Sequence, residues 1–114
     1  MMKISSNITL SGCCDLHTHS TYSDGTYTPR QIIEEANRLL LSAVALTDHN
    51  TTAGLDEFLT EANARGVTAI AGVELSTLYC GKELHLLGLY ISESQFDKIT
   101  DLMNDVNKRK EQMN

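Results

Sequence analysis

The sequence Asp15-Leu16-His17-Thr18-His19-Ser20-Thr21-Tyr22-Ser23-Asp24 places two histidines one residue apart and is followed by Gly25. Alternate residues of a β-strand point to the same side of a sheet, so a strand here directs the imidazoles of His17 and His19 at one point. A metal ion is the usual reason for that arrangement, and two partly exposed strand histidines without a ligand are the alternative. The other two of the four histidines in the chain decide between these interpretations.

The segments that follow alternate between helix and strand patterns. Thr28 and Pro29 are a typical helix start, because a capping hydroxyl precedes a proline at the first helical position. The predicted order begins with a strand at 13–17, a helix from 28, a strand at 43–46 and a helix ending at Gly66. A strand at 67–73 follows, then a hairpin of 75–79 and 84–90 around a turn at 80–83, and a helix from about 95. The apolar stripe of this last helix is predicted to consist of Phe96, Ile99, Leu102, Met103, Val106 and Met113. This alternation predicts an α/β fold with a mostly parallel sheet and a β-hairpin.

Polar residues follow each predicted strand at its end. Asp48 and His49 come after the second strand, Glu74 comes after the third, and His85 lies on the second limb of the hairpin. The carboxyl ends of parallel strands build the site in α/β folds, so these side chains are expected to meet. Imidazole and carboxylate ligands without a thiolate suit Zn²⁺, Mn²⁺ or Fe²⁺. The candidate metal ligands are His17, His19, Asp24, His49, Glu74 and His85.

Several of these residues have a simpler interpretation. Asp24 precedes a glycine and is also typical of a tight turn, and His85 taken alone is typical of a core histidine. Asp48 either caps the next helix or, as we favour, supports a ligand by hydrogen bonding without touching the ion. Asp15 lies on the same strand face as His17, which gives it the same supporting role.

Composition limits the class of protein. The chain has 114 residues, of which 41% are hydrophobic, so it forms one domain at most. A net charge of −6 argues against stable binding of duplex nucleic acid. Three cysteines do not make a disulfide framework, and they favour reduced, mostly buried thiols in the cytoplasm. No stretch is apolar enough for a membrane span, so no membrane partner is expected.

Four motifs in this order resemble one known family. His17–Gly25, Thr47–Asn50, Ala71–Glu74 and His85–Gly88 are similar to the successive motifs of the polymerase and histidinol phosphatase (PHP) domain family. The resemblance covers about residues 13–90. The motifs look most like those of stand-alone bacterial PHP phosphoesterases that act on nucleotides or short RNA.

The resemblance implies a distorted seven-stranded βα barrel that holds up to three zinc, manganese or iron ions. In that pattern His17 and His19 hold the first ion, Glu74 bridges the first and second, His85 helps to hold the second, and Asp24 and His49 hold the third. The implied reaction is hydrolysis of a phosphorylated small molecule or nucleotide by a metal-activated hydroxide. No protein side chain is needed as the nucleophile, and we assign none.

The family's later motifs, which include further ligands, have no counterpart after His85. A barrel of this kind needs roughly 200 residues or more. We therefore expect residues 1–114 to be the N-terminal fragment of a single PHP domain, inactive alone and prone to self-association through an open sheet edge.

Two other functions remain as alternatives. One is a non-catalytic regulatory or assembly module on a PHP fold, and the complete set of six candidate ligands argues against it. The other is a metal-dependent hydrolase of carbon–nitrogen bonds on a similar barrel, which activity on amides rather than phosphate esters would distinguish.

Overall fold

The structure, a computed structural model, describes residues 10–113 and the side chains of residues 10–105. Its elements in chain order are β1 (Cys14–Thr18), α1 (Pro29–Leu39), β2 (Ala43–Leu46), α2 (Leu55–Arg65), β3 (Ala69–Tyr79), β4 (Lys82–Leu89), a short 3₁₀ helix (Glu93–Gln95) and α3 (Phe96–Met113). Across this described part of the chain, no helix has the length and apolar character needed to span a membrane.

The strands form one four-stranded sheet in the order β1-β2-β3-β4. β1, β2 and β3 pair in parallel, and β4 pairs antiparallel with β3. Each parallel connection carries a helix, as a crossover between neighbouring parallel strands requires. The predicted α/β class, the mostly parallel sheet and the hairpin are therefore confirmed.

β3 is longer than the sequence pattern suggested. The separate strands predicted at 67–73 and 75–79 are one strand, Ala69–Tyr79. The backbone does not break at Glu74 because this residue pairs with Leu87 on one side and His49 on the other. The turn consists of Cys80 and Gly81 rather than the four residues predicted, and both have positive φ, 53° and 77°. Positive φ at both central residues is the pattern of a two-residue hairpin turn.

The predicted helix boundaries are confirmed where capping residues mark them. Thr28 accepts a hydrogen bond from the backbone N–H of Gln31, and the Gln31 side chain accepts one from the backbone N–H of Thr28. Pro29 occupies the first position of α1 as predicted. Gly66 ends α2 in the left-handed conformation, which glycine adopts without steric cost.

The hydrophobic core lies between the helices and the parallel strands. It consists of Ile32, Ile33 and Ala36 of α1, Val44 and Leu46 of β2, Leu55, Phe58 and Ala62 of α2, Ala71 of β3 and Phe96 of α3. In the predicted stripe of α3, Phe96 and Met103 are buried. Leu102 is 58% exposed, so its assignment to the stripe is wrong. Val106 and Met113 lie outside the described side chains.

The prediction of mostly buried thiols is also wrong. Cys13, Cys14 and Cys80 are all free and exposed. Cys14 begins β1, which lies at an edge of the sheet, and Cys80 lies in the hairpin turn. Neither position is covered by a helix of the described chain, because both lie away from the core between α1, α2 and the central strands.

Candidate metal centre

The candidate site lies where β1 and β2 end beside β3. After β2 the chain continues alongside β3, with the Glu74 N–H donating to the Asp48 carbonyl at 3.0 Å and the Asn50 N–H donating to the Glu74 carbonyl at 2.9 Å. These two bonds make an isolated parallel bridge between His49 and Glu74. His49 is therefore held next to Glu74 by backbone pairing rather than by its own ring.

The two histidines at the end of β1 flank a residue that points the other way. Thr18 is buried, and its hydroxyl donates to the Ala45 carbonyl at 2.6 Å. His17 and His19 consequently project from the opposite face, as strand alternation requires. The pairing of β1 with β2 shifts between Asp15 and Thr18, an irregularity of the kind that re-aims a side chain.

The loop after β1 returns Asp24 to the same place. The Ser20 carbonyl accepts hydrogen bonds from the backbone N–H groups of Ser23, at 3.0 Å, and Gly25, at 2.9 Å. At Gly25 a Cβ atom would lie only 1.9 Å from the His19 carbonyl oxygen, so glycine is the residue that fits this close approach. The fold of the loop therefore places Asp24 over the end of β1.

Glu74 is the centre of the cluster. One of its carboxylate oxygens contacts the Nε2 atoms of His17, at hydrogen-bonding distance, and His19, at 3.5 Å. Its other oxygen lies 3.1 Å from Nδ1 of His49 and 3.1 Å from Nδ1 of His85. Its side chain is only 8% exposed. All four imidazoles of the chain thus converge on one buried carboxylate.

Asp24 closes the cluster on the side opposite Glu74. Its Oδ2 lies 3.1 Å from Nε2 of His49, and its Oδ1 lies 3.8 Å from Nδ1 of His19. The rings of His19 and His49 are stacked, with centroids 4.3 Å apart and an interplanar angle of 4°. The two parallel rings therefore stand between the two carboxylates.

The structure brings all six predicted residues together. Three groups each bring ligand atoms of three residues to within 4.8 Å of one another: His17, His19 and Glu74; His19, Asp24 and His49; and His49, Glu74 and His85. Asp24 belongs to the cluster as well as to a turn, and His85 is exposed rather than a core residue.

Two features of the ring nitrogens in this cluster fit a bound cation. Both ring nitrogens of His49 face carboxylate oxygens at 3.1 Å. The Nδ1 atom of His19 is buried without a hydrogen-bond partner among the described residues. Imidazole nitrogens around two carboxylates are the donor set that zinc, manganese and iron take.

The protonation of two cluster residues also favours a cation. The pKa of His19 lies below its ordinary value, because burial disfavours the charged ring and His49 adds repulsion. Burial would raise the pKa of Glu74, but the hydrogen bond with His17 and the nearby histidines outweigh it, so the pKa is lowered. Around neutral pH His19 keeps its lone pair and Glu74 keeps its negative charge, as ligands require.

The two residues assigned a supporting role contact the backbone and the loop rather than an imidazole. The Asp15 carboxylate accepts a hydrogen bond from the backbone N–H of His17 at 3.3 Å. Asp48 is 1% exposed and accepts hydrogen bonds from Ser20 and Ser23. The alternative that Asp48 caps the next helix is wrong, because Gly54 occupies the N-cap position of α2.

Sequence reasoning missed Ser76. Its hydroxyl lies 3.3 Å from Nδ1 of His85, and its backbone N–H donates to Oδ1 of Asn50 at 2.8 Å. Ser76 stands two residues after Glu74 on β3 and directly opposite His85 on β4. The period of two along a strand was the available signal, but it required β3 to continue past Glu74.

Comparison with known proteins gives a consistent result. The sequence model of the PHP domain family matches residues 15–113 of this chain. A 5′-3′ exoribonuclease of Haemophilus influenzae is 39% identical over 78% of this chain and 32% of its own length. A 3′,5′-nucleoside bisphosphate phosphatase of Chromobacterium violaceum is 40% identical over 71% of this chain and 28% of its own length. The chain thus spans about a third of the length of the curated relatives it matches.

Two solved structures share the fold. A protein of Chromobacterium violaceum, described as an amidohydrolase with bound sulfate, has a TM-score of 0.76 and 34% identity over 83% of this chain and 33% of its own. A protein of Bifidobacterium adolescentis, described as a metal-dependent phosphoesterase, has a TM-score of 0.74 and 31% identity over 87% of this chain and 34% of its own.

Proposed function

The chain belongs to the PHP domain family, and on that basis we propose that it forms part of a metal-dependent phosphoesterase that hydrolyses phosphate esters of nucleotides or short RNA. The observation that carries the proposal is the convergence of four imidazoles on Glu74. The named relatives, an exoribonuclease and a nucleoside bisphosphate phosphatase, indicate the class of substrate. We also propose that the protein acts in the cytoplasm.

Each of three ions would be held by its own set of residues from the cluster. His17 and His19 would hold one ion with Glu74, His85 and Glu74 a second, and Asp24 and His49 a third. Divalent ions, when bound, supply a nucleophile by lowering the pKa of water and neutralise charge on the phosphoryl oxygens. The side chains fix the positions of the ions, and the exposed rings of His17 and His85 leave one side open to substrate.

Ser20 and Ser23 do not supply a nucleophile. Ser20 is completely buried, and its hydroxyl donates to Asp48 at 2.6 Å. The hydroxyl of Ser23 donates to the same carboxylate at 2.7 Å. A nucleophilic serine has to reach the substrate and be paired with a base. We therefore assign the protein side chains the tasks of holding ions and orienting substrate.

The test uses the full-length protein, its metal content by elemental analysis, and hydrolysis of a 3′,5′-nucleoside bisphosphate and of a 5′-phosphorylated short RNA. We expect bound Zn, Mn or Fe and hydrolysis of at least one substrate. His17→Ala should lower kcat/KM by about 100-fold or more, because even residues that only support a ligand cost about 10–100-fold. Asn63→Ala, at an exposed position of α2, is the control and should match the wild type.

A second candidate is hydrolysis of carbon–nitrogen bonds, because one structure with this fold is described as an amidohydrolase. Including N-acyl amino acids in the same assay separates the two candidates. Hydrolysis of the amide alone by the metal-loaded protein would replace the phosphoesterase proposal. Hydrolysis of neither class of substrate would favour the non-catalytic module.

A further inference from the structure

A buried carboxylate joins the two segments that carry the His19, Asp24 and His49 group. Asp48 directly precedes His49 and is 1% exposed. It accepts hydrogen bonds from the backbone N–H of Ser20 at 2.6 Å, from the Ser20 hydroxyl at 2.6 Å and from the Ser23 hydroxyl at 2.7 Å. Hydrogen bonds to an ionised carboxylate are roughly twice as strong as those between neutral groups.

These bonds fix the backbone on both sides of Asp24. Ser23, which precedes Asp24, is held by Asp48, and Gly25, which follows it, donates its N–H to the Ser20 carbonyl. The Asp24 side chain itself is 66% exposed. Because neighbouring side chains do not enclose it, its position depends on the backbone that Asp48 and Ser20 hold.

We propose that Asp48 is a positioning residue, which acts through Ser20 and Ser23 to hold Asp24 against His49 and thereby sets the affinity of this group for its ion. The proposal rests on the proposed function, since it assumes that the group binds a divalent cation. It assigns Asp48 a role in placing the ligand loop rather than in orienting an imidazole.

The other ligands depend on different contacts. Glu74 and His85 lie on β3 and β4, where backbone pairing joins Glu74 to Leu87 and Ser76 to His85. None of these four residues is in the loop that Asp48 holds. Loss of the Asp48 contacts should therefore weaken binding of the ion held by Asp24 and His49. Binding of the ion held by Glu74 and His85 should be affected less.

The first experiment is calorimetric titration of the metal-free full-length protein with Mn²⁺. Asp48→Asn should raise the Kd of the ion held by Asp24 and His49 by about 10–100-fold, the usual effect of removing a residue that orients a metal ligand. Ser23→Ala removes one of the three hydrogen bonds that Asp48 accepts and should raise the same Kd by about threefold. The affinity for the ion held by Glu74 and His85 should fall by a smaller factor, because neither residue lies in the loop that Asp48 holds. Asp101→Asn, an exposed carboxylate on α3, is the matched control and should match the wild type.

The same substitution in the Asp24→Ala protein distinguishes positioning of Asp24 from general support of the fold. If Asp48 acts through Asp24, Asp48→Asn in the Asp24→Ala protein should change the affinity of the ions that still bind by less than about twofold. If Asp48→Asn weakens all ions equally in both backgrounds, Asp48 supports the whole fold and the proposal is wrong.

Failure of this proposal and failure of the proposed function can be told apart. If the wild type binds Mn²⁺ and Asp48→Asn binds it equally well, only the positioning role falls. If the wild type binds no divalent ion, both proposals fall. Should Asp48→Asn not fold, Ser23→Ala decides alone, because Ser23 is a partly exposed residue and its substitution buries no new polar group. Unchanged affinity for every ion would then overturn the proposal.

Discussion

Glu74 is the residue on which the arrangement of the cluster depends most. It is buried on β3 and is the one carboxylate that all four histidines approach. A buried charge is costly unless it is paired, so the imidazoles, or the ions that we propose they hold, must compensate the charge of Glu74. Its two oxygens contact different pairs, His17 with His19 and His49 with His85, which is consistent with the proposal that two ions share this carboxylate.

Substitution of Glu74 tests this role through stability rather than activity. An ion that binds only the folded state stabilises it by about 2.7 kcal/mol when present at 100 times its Kd. We expect Mn²⁺ to raise the Tm of the wild type and to raise the Tm of Glu74→Gln by less, because the amide has the same shape but no charge to hold the two ions assigned to Glu74. Differential scanning fluorimetry with and without Mn²⁺ measures both.

The control for this substitution is Glu93→Gln, an exposed glutamate in the short 3₁₀ helix. Its Tm should rise with Mn²⁺ as much as that of the wild type. An equal rise for Glu74→Gln would show that Glu74 does not hold an ion.

The hairpin is the element that brings His85 to the cluster, and it depends on a close approach of β3 to its neighbours. A Cβ at Gly72 would lie 2.8 Å from the Gly88 carbonyl oxygen, 2.9 Å from Cγ2 of Thr47 and 3.1 Å from the Leu46 carbonyl oxygen. Two of these atoms are backbone, so they cannot move without shifting a strand. At Gly88 the same Cβ would meet its nearest atoms at 3.7–4.0 Å, which is ordinary contact.

We expect Gly72→Ala to destabilise the fold by about 1–3 kcal/mol, the usual cost of forcing extra atoms into a packed interior. Gly88→Ala is the matched control on the paired strand and should cost much less. Chemical denaturation of both variants measures the difference. Equal stabilities would contradict the tight packing of β3 against β2 and β4.

At the scale of the whole molecule, the sheet leaves β1 and β4 at its edges. Leu84 and Leu86, two residues apart on one face of β4, are 41% and 55% exposed. Unpaired strand edges and exposed apolar patches tend to associate with other chains. We therefore propose that the 114-residue chain, prepared alone, self-associates through this region.

Light scattering after size exclusion measures the expected association of that chain, which should increase with concentration. Leu86→Glu should shift it toward the monomer, because it places a charge in the apolar patch. Thr60→Glu, at an exposed position of α2, is the control and should associate like the wild type. A monomer at every concentration would contradict the prediction.

The sequence by itself determined the order of the elements, the helix boundaries at Thr28 and Gly66 and the six residues of the cluster. These features depend on neighbours in the chain. A cap is satisfied within about four residues, strand alternation has a period of two, and polar residues at successive strand ends are visible in the sequence. The family was also identifiable from four short motifs in order, and the match over residues 15–113 confirms it.

Only the tertiary structure decided which atoms meet. His17 and Glu74 are 57 positions apart, and their contact depends on the register of three parallel strands. The continuity of β3, the role of Ser76, the exposure of Leu102 and the loop contacts of Asp48 depend on the same packing. No local pattern encodes them, because a side chain's surroundings are set by segments far away in the sequence that the sheet brings side by side.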